Sequence, residues 1–442
     1  MSGAETGSRL AASTTGLGPS LRFTCGGCGA VVTGDLPFAC PNLGDGGDHV
    51  VAPLLRGPLA EPDDDPQPFV RWRRRLAAWH RTGDDRRHLG TVRRLDDAVA
   101  DVAAEAHGVT VSPTRWWDGL GCWVKDETGQ PGGSHKVRHL FGLALWLEAV
   151  GVEPARPLAI ASCGNAALAA AIVARAAGRP LRVFVPPAAD PWVLDRLGSL
   201  GADVTICARP QGVAGDPCYR RFRGAVAGGA LPFSVQGPDC GLAVEGARTL
   251  AWELAEQCEG LDRVCVQVGG GALASGLVAG FRLTGRTPIL NAVQTDLVHP
   301  LVRAWERAQA VGRVDPFRRA DYMWPWDQGL SGPPGGDQGP SGPPGGDDGG
   351  AAQTSLAGGI VDDEAYDWLE VVRGMSATGG WPVTAAEDEL SAANRAAVEV
   401  TGIAADETGT AGLAGLRTLR RTHDLAPAEH VAVIFTGARR PR

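Results

Sequence analysis

Of the 42 lysines and arginines in the chain, only Lys125 and Lys136 are lysine. Arginine makes ion pairs and anion contacts at least as well, but its guanidinium keeps its proton and cannot form an imine. A lysine retained in so arginine-biased a chain is a candidate for amine chemistry. Lys136 closes the run Gly132-Gly133-Ser134-His135-Lys136, where a Gly/Pro turn passes into an apolar-periodic helix. At the positive end of that helix, and desolvated by the Leu140-Phe141 face, its ammonium would have a lowered pKa, as a nucleophilic amine requires. An isolated lysine at a helix entry is more often simply solvated, so the reading depends on its company.

Two further segments supply that company. Ala159-Ile160-Ala161-Ser162-Cys163-Gly164-Asn165-Ala166 reads as a strand running into a small-residue helix. Gly164 lets main-chain N–H groups approach a ligand, so a carboxylate could rest on Ser162, Cys163, Gly164, Asn165 and Ala166 at the helix start. Arg263–Val268 followed by Gly269, Gly270, Gly271, Ala272 and Leu273 is again strand, glycine loop and helix, a cradle for phosphate. The same loop meets a relaxed dinucleotide pattern, Gly269-x-Gly271-x-x-Ala274, with Asp296 where a ribose-binding acid belongs. That rival explains neither Lys136 nor the Ser162–Asn165 loop, whereas one phosphorylated aldehyde cofactor explains all three.

These segments need a scaffold that brings strand ends together. From about Leu120 short apolar runs alternate with helical periods, and this implies α/β architecture with parallel sheets covered on both faces. Helices are expected over Asp362–Arg373, Ala386–Thr401 and Thr410–Arg421, and a last buried strand over His430–Phe435 ends at Thr436-Gly437. In this reading Asp362-Asp363-Glu364 is a first helical turn that complements the dipole. The imperfect ten-residue repeat at 331–350 is too short for a triple helix and reads as a flexible surface insertion.

With 442 residues, a net charge of −8 and 44% hydrophobic residues, the chain can bury a large core and offers no basic surface for nucleic acid. Neither a secretory leader nor a run of about 18 apolar residues is found, so no membrane partner and a cytoplasmic location are expected. Ten cysteines are too sparse for a disulfide scaffold.

The order Gly133-Ser134-His135-Lys136, Ser162-Cys163-Gly164-Asn165, Gly269-Gly270-Gly271-Ala272-Leu273 and Phe435-Thr436-Gly437 resembles the pyridoxal-phosphate enzymes of the tryptophan-synthase-β fold (fold type II). It is most similar to their threonine-synthase branch, from about Leu120 to the C-terminus. The resemblance implies that Lys136 holds the cofactor aldehyde as an imine and that Asn165 bonds the ring's phenolic oxygen. It implies further that Gly269, Gly270, Gly271, Ala272 and Leu273 bind the phosphate, and that Thr436 faces the pyridine nitrogen. A hydroxyl there suits elimination or replacement at the β or γ carbon more than transamination. The implied fold is two doubly wound, mostly parallel sheet domains. The large cofactor domain is expected over 61–145 and 245–442, interrupted by the insertion at 327–350, and the small domain over 146–244. A disordered leader (1–23) and a Cys-rich, zinc-ribbon-like segment (24–60) precede them.

That segment carries Cys25-Gly26-Gly27-Cys28 and Cys40-Pro41, similar to the ribbon that opens several threonine synthases, with His49 the available fourth ligand. Zinc at Cys25, Cys28, Cys40 and His49 is one reading, and a degenerate ribbon that packs without metal is the other. The chain has His135-Lys136-Val137-Arg138 where threonine synthases usually carry Phe-Lys-Asp-Arg, and Thr436-Gly437-Ala438 where they close on Thr-Gly-His, and this leaves the substrate open. His135, Arg138 and His139 could meet a substrate anion or could be solvated helix faces. The main expectation is a threonine-synthase-like lyase acting as a homodimer on a small amino acid. A serine/threonine dehydratase and a cysteine-synthase-type replacement come next. An NAD(P)-dependent dehydrogenase and a non-catalytic cofactor-binding protein are the readings of other classes.

Overall fold

The computed structural model describes residues 21–44, 48–55, 60–208, 216–312, 355–362, 364–423, 425–426 and 428–440. The insertion at 327–350 and the first twenty residues of the expected leader lie outside them.

The apolar runs become the strands of two sheets. The larger takes β4 (Thr114–Trp117), β5 (Cys122–Asp126), β10 (Arg263–Gln267), β11 (Ile289–Thr295), β12 (Val383–Ala385) and β13 (Val431–Phe435). Their order is β12-β11-β10-β13-β5-β4, parallel throughout except for β4 at one edge. The smaller sheet, wholly parallel, has the order β8-β7-β6-β9, from β6 (Leu158–Ala161), β7 (Leu181–Val185), β8 (Asp203–Ile206) and β9 (Leu231–Pro232). Central strands β10 and β13 are buried at every position, as expected of strands covered by helices on both faces. In a parallel sheet all strand C-termini share one edge, so the ends of β5, β10 and β13 meet there.

Ahead of the sheets lies a small antiparallel sheet of β1 (Leu21–Cys25), β2 (Val31–Val32) and β3 (Val51–Leu55), in the order β2-β1-β3. β1 starts inside the stretch expected as leader, because alternate residues Leu21, Phe23 and Cys25 are buried. Phe23 packs edge-on against Trp146 at 5.1 Å, and this fastens the small sheet to the helix Lys136–Ala149.

The helix expected over Asp362–Arg373 is a second correction. It runs instead from Trp368 to Thr378, and the residues before it cross the glycine loop.

Candidate active site

Lys136 is the first residue of its helix, with His135 as N-cap. Two contacts tie this helix start to the end of β13: the His135 N–H donates to the Thr436 carbonyl at 3.2 Å, and Ser134 bridges Gly437. The Ser162–Ala166 loop leaves β6, and Asn165 opens the helix Asn165–Ala176. A Cβ on Gly437 would lie 2.8 Å from Asn165 Nδ2, so a larger residue there would push this amide aside. Within this loop Cys163 is exposed and Ala166 buried, and the Gly164 N–H lies 3.4 Å from Ser162 Oγ.

The glycine loop follows β10, with Gly271 at φ 95° as N-cap of the helix Ala272–Thr284. That left-handed conformation favours glycine. Asp362, which the sequence reading placed on a helix, enters this loop. Its carboxylate accepts the Gly270 N–H, and its charge acts on Lys136. Burial raises its pKa to about 6, opposed by Lys136 and the Gly270 N–H. The charge of the carboxylate held on the glycine loop thus reaches Lys136.

Burial pushes the Lys136 ammonium below its ordinary pKa, partly offset by Asp362 and Asp367. His135 and His139 do not meet solvent: both are buried and both have depressed pKa values, mainly from burial, His139 to about 3. Their Nδ1 atoms sit 3.1 Å and 2.8 Å from the Thr436 and Ala243 carbonyls, so Nδ1 carries the proton in each neutral ring. Arg138 is unavailable to a substrate anion as well. Its Nε and Nη2 donate to both oxygens of Glu127 at 2.7 Å and 2.9 Å, and Nη1 bonds Glu253. Lys125 belongs to the same buried network, donating to Glu253, to the Ser112 carbonyl at 2.7 Å and to Gln257 at 2.8 Å. Of the two lysines, the structure therefore leaves Lys136 for chemistry.

Three residues that the sequence reading passed over complete the setting. Gln267, the last residue of β10, turns its Nε2 toward the carbonyls of Thr408, Gly409 and Ile434 and donates to Thr436 Oγ at 2.7 Å. These acceptors fix the amide orientation, so the Thr436 hydroxyl keeps its own proton to give away. Arg440 donates to Asn165 Oδ1 at 2.7 Å and thereby directs Asn165 Nδ2 toward Gly437. Asp406 holds the far side of Gly437, its N–H bonding the Gly437 carbonyl at 3.1 Å.

The Pyridoxal-phosphate dependent enzyme family model matches residues 106–437. The chain belongs to this family. The enzyme is 30% identical over 214 residues to a human protein named serine dehydratase-like, across 46% of this chain and 62% of that protein. It is 30% identical over 155 residues to a biosynthetic L-threonine dehydratase of Haemophilus influenzae, across 35% of this chain and 29% of that one. Less than two thirds of either relative is therefore spanned. Among solved structures, maize serine racemase superposes with a TM-score of 0.55 at 15% identity, covering 78% of this chain and 93% of that one. Isoform 2 of tomato (Solanum lycopersicum) threonine deaminase gives 0.55 at 16%, covering 81% and 91%. At such identities the superpositions establish the fold.

The residues present fit pyridoxal phosphate. The loop already holds an anionic oxygen, that of Asp362, on a main-chain N–H, as a phosphate cradle must. Lys136 supplies an amine of lowered pKa, and Thr436 offers a hydroxyl rather than a carboxylate. Asp296, the acid of the dinucleotide rival, lies beside Glu387, His299 and Asp388.

In the ribbon, one ligand atom from each of Cys25, Cys28, Cys40 and His49 lies within 4.8 Å of every other. Cys25 Sγ is 3.4 Å from His49 Nδ1, and Cys28 Sγ is 3.6 Å from Cys40 Sγ. Tetrahedral zinc with bonds of about 2.3 Å to sulfur and about 2.0–2.1 Å to nitrogen has edges close to these. The main-chain N–H and Nδ2 of Asn42 each approach a cysteine sulfur at 3.4 Å, as outer donors to thiolate ligands do. No helix among the described residues is long and apolar enough to cross a membrane.

Proposed function

We propose that the enzyme is a serine/threonine dehydratase, an ammonia-lyase, rather than the threonine synthase favoured by the sequence reading. The names of its relatives support this choice. The observation that carries the chemistry is the Gln267-Thr436 pair beside Lys136. A hydroxyl with a proton to donate suits a pyridine nitrogen kept unprotonated, and an unprotonated ring favours elimination.

When bound, pyridoxal phosphate supplies an electron sink for charge developing at the substrate α-carbon. The chain's own groups do the rest. Main-chain N–H groups of Gly269–Leu273 would hold the phosphate, Asn165 the phenolic oxygen and Thr436 the ring nitrogen. Ser162–Ala166 receive the substrate carboxylate at the start of the helix Asn165–Ala176. The Lys136 amine would take the α-proton, and burial, which lowers its pKa, favours the uncharged form that this role needs. Serine then gives pyruvate and ammonia with no net change in water, because the water lost in elimination is regained in hydrolysis. Zinc on Cys25, Cys28, Cys40 and His49 belongs to the same proposal as a structural ion, as do a homodimer and a cytoplasmic location.

Incubation with serine, threonine, phosphoserine, phosphohomoserine and diaminopropionate tests the reading. Release of 2-oxo acid and ammonia from serine or threonine is expected. Phosphate and threonine formed from phosphohomoserine, without 2-oxo acid from serine, would return the enzyme to the threonine-synthase branch.

A further inference from the structure

The carboxylate of Asp362 packs on the glycine loop, and nothing in the reaction above uses it. It accepts the Gly270 N–H, and a Cβ built on Gly269 would come within 2.6 Å of its Oδ2. Its charge acts on Lys136 through space, without an ion pair. Phosphate oxygens bound to this loop would need the same N–H groups and the same space. The chain around Asp362 is anchored on both sides. The Gly359 N–H donates to Thr408 Oγ1 at 3.0 Å, and the Asp367 N–H donates to the Gly270 carbonyl at 2.9 Å. Ile360 and Tyr366 are buried between these anchors, Tyr366 with its ring against Gly270. Val361 is exposed, and Asp362 itself is half-buried, so its side chain has an outlet to solvent.

We infer that Asp362 is a resident anion of the phosphate cradle, a residue that packs on Gly269 and Gly270 and must swing away before the cofactor phosphate seats. Loading would take the Gly270 N–H and the space against Gly269 from Asp362 and give both to the phosphate. Asp362 in this way sets cofactor affinity, and with it the fraction of enzyme loaded when cofactor is scarce. The inference rests on the assignment of the phosphate to Gly269–Leu273.

The test compares apoenzyme of the native chain with Asp362→Asn and Asp362→Ala, each titrated with pyridoxal phosphate and, separately, with pyridoxal, by protein fluorescence and the visible band. Both variants are expected to bind pyridoxal phosphate roughly tenfold tighter or more, the scale of one charge-assisted hydrogen bond that need no longer be exchanged. Affinity for pyridoxal, which brings no phosphate, should move much less. Unchanged or weaker binding of pyridoxal phosphate in both variants would overturn the inference, as would an equal gain for both ligands. A Gly270→Val variant separates the two levels of the argument. If it leaves phosphate-dependent affinity intact, the phosphate site lies elsewhere and the underlying assignment fails. If it abolishes that affinity while the Asp362 variants bind as the native chain does, only the role of Asp362 fails.

Discussion

At the scale of single residues, the two lysines separate by what surrounds them. Lys125 has its three donors taken up by Glu253, Ser112 and Gln257 inside a fully buried network. Removing one partner of such a pair leaves an uncompensated charge and costs about 3–5 kcal/mol. Glu253→Gln is therefore expected to lower the denaturant midpoint steeply, while any protein that still folds keeps its visible cofactor band. Loss of the band at unchanged stability would place Glu253 in the site instead. Gly437 behaves in the opposite way. An alanine there meets Asn165 Nδ2, so Gly437→Ala should weaken cofactor binding by roughly tenfold, about 1.4 kcal/mol, while the melting temperature changes little, as equilibrium dialysis and a thermal melt would show. Lys136, Asn165, Thr436 and the glycines could be proposed from the sequence because each stands next to a glycine or a helix start. Gln267, Arg440, Asp406 and Asp362 were not, because their roles come from contacts made across the sequence. Asp362 lies 92 positions beyond Gly270. Its acidic neighbours mimic a helix first turn, and only the folded chain carries it into the cradle.

At the scale of elements, the site depends on how closely helices pack behind it. A Cβ on Gly246 would come 2.0 Å from the Arg138 carbonyl, so the helices Lys136–Ala149 and Ala243–Gln257 meet backbone to backbone there. Gly246→Ala should force them apart at a cost of about 1–3 kcal/mol, measured by chemical denaturation, and should disturb Lys136 two residues before Arg138. A variant with native stability and native cofactor affinity would show that this contact does not position the site. The long parallel strands were readable from their apolar runs within a residue or two. β4, β9 and β12 were not, since each has two to four residues and owes its existence to pairing with a neighbour rather than to propensity.

At the scale of the whole molecule, two buried groups oppose each other in their pH dependence. Burial raises Glu245 from 4.5 to about 7, opposed by Arg248 and the Ala77 N–H. A raised folded pKa contributes stability that is fully present below pH 4.5 and is lost as pH climbs toward 7. Burial lowers His88 from 6.5 to about 4, so its contribution is present above pH 6.5 and is lost as pH falls toward 4. Melting temperatures recorded from pH 4 to 8 should lose their acid-side decline in part with His88→Gln and their alkaline-side decline in part with Glu245→Gln. Curves parallel to the native one would contradict both assignments. The ribbon gives a separate global readout: Arg373 donates to the Gly26 carbonyl at 2.7 Å, joining the ribbon to the helix Trp368–Thr378. If zinc is bound, metal analysis should find one ion per chain, and a strong chelator should lower the melting temperature by several degrees.

The account stands or falls on which amine carries the cofactor. Reducing the loaded enzyme with borohydride and mapping the modified peptide by mass spectrometry answers this directly. A pyridoxyl group on Lys136 is the expected result. A pyridoxyl group on Lys125, or a chain that takes up none after incubation with pyridoxal phosphate, would contradict it.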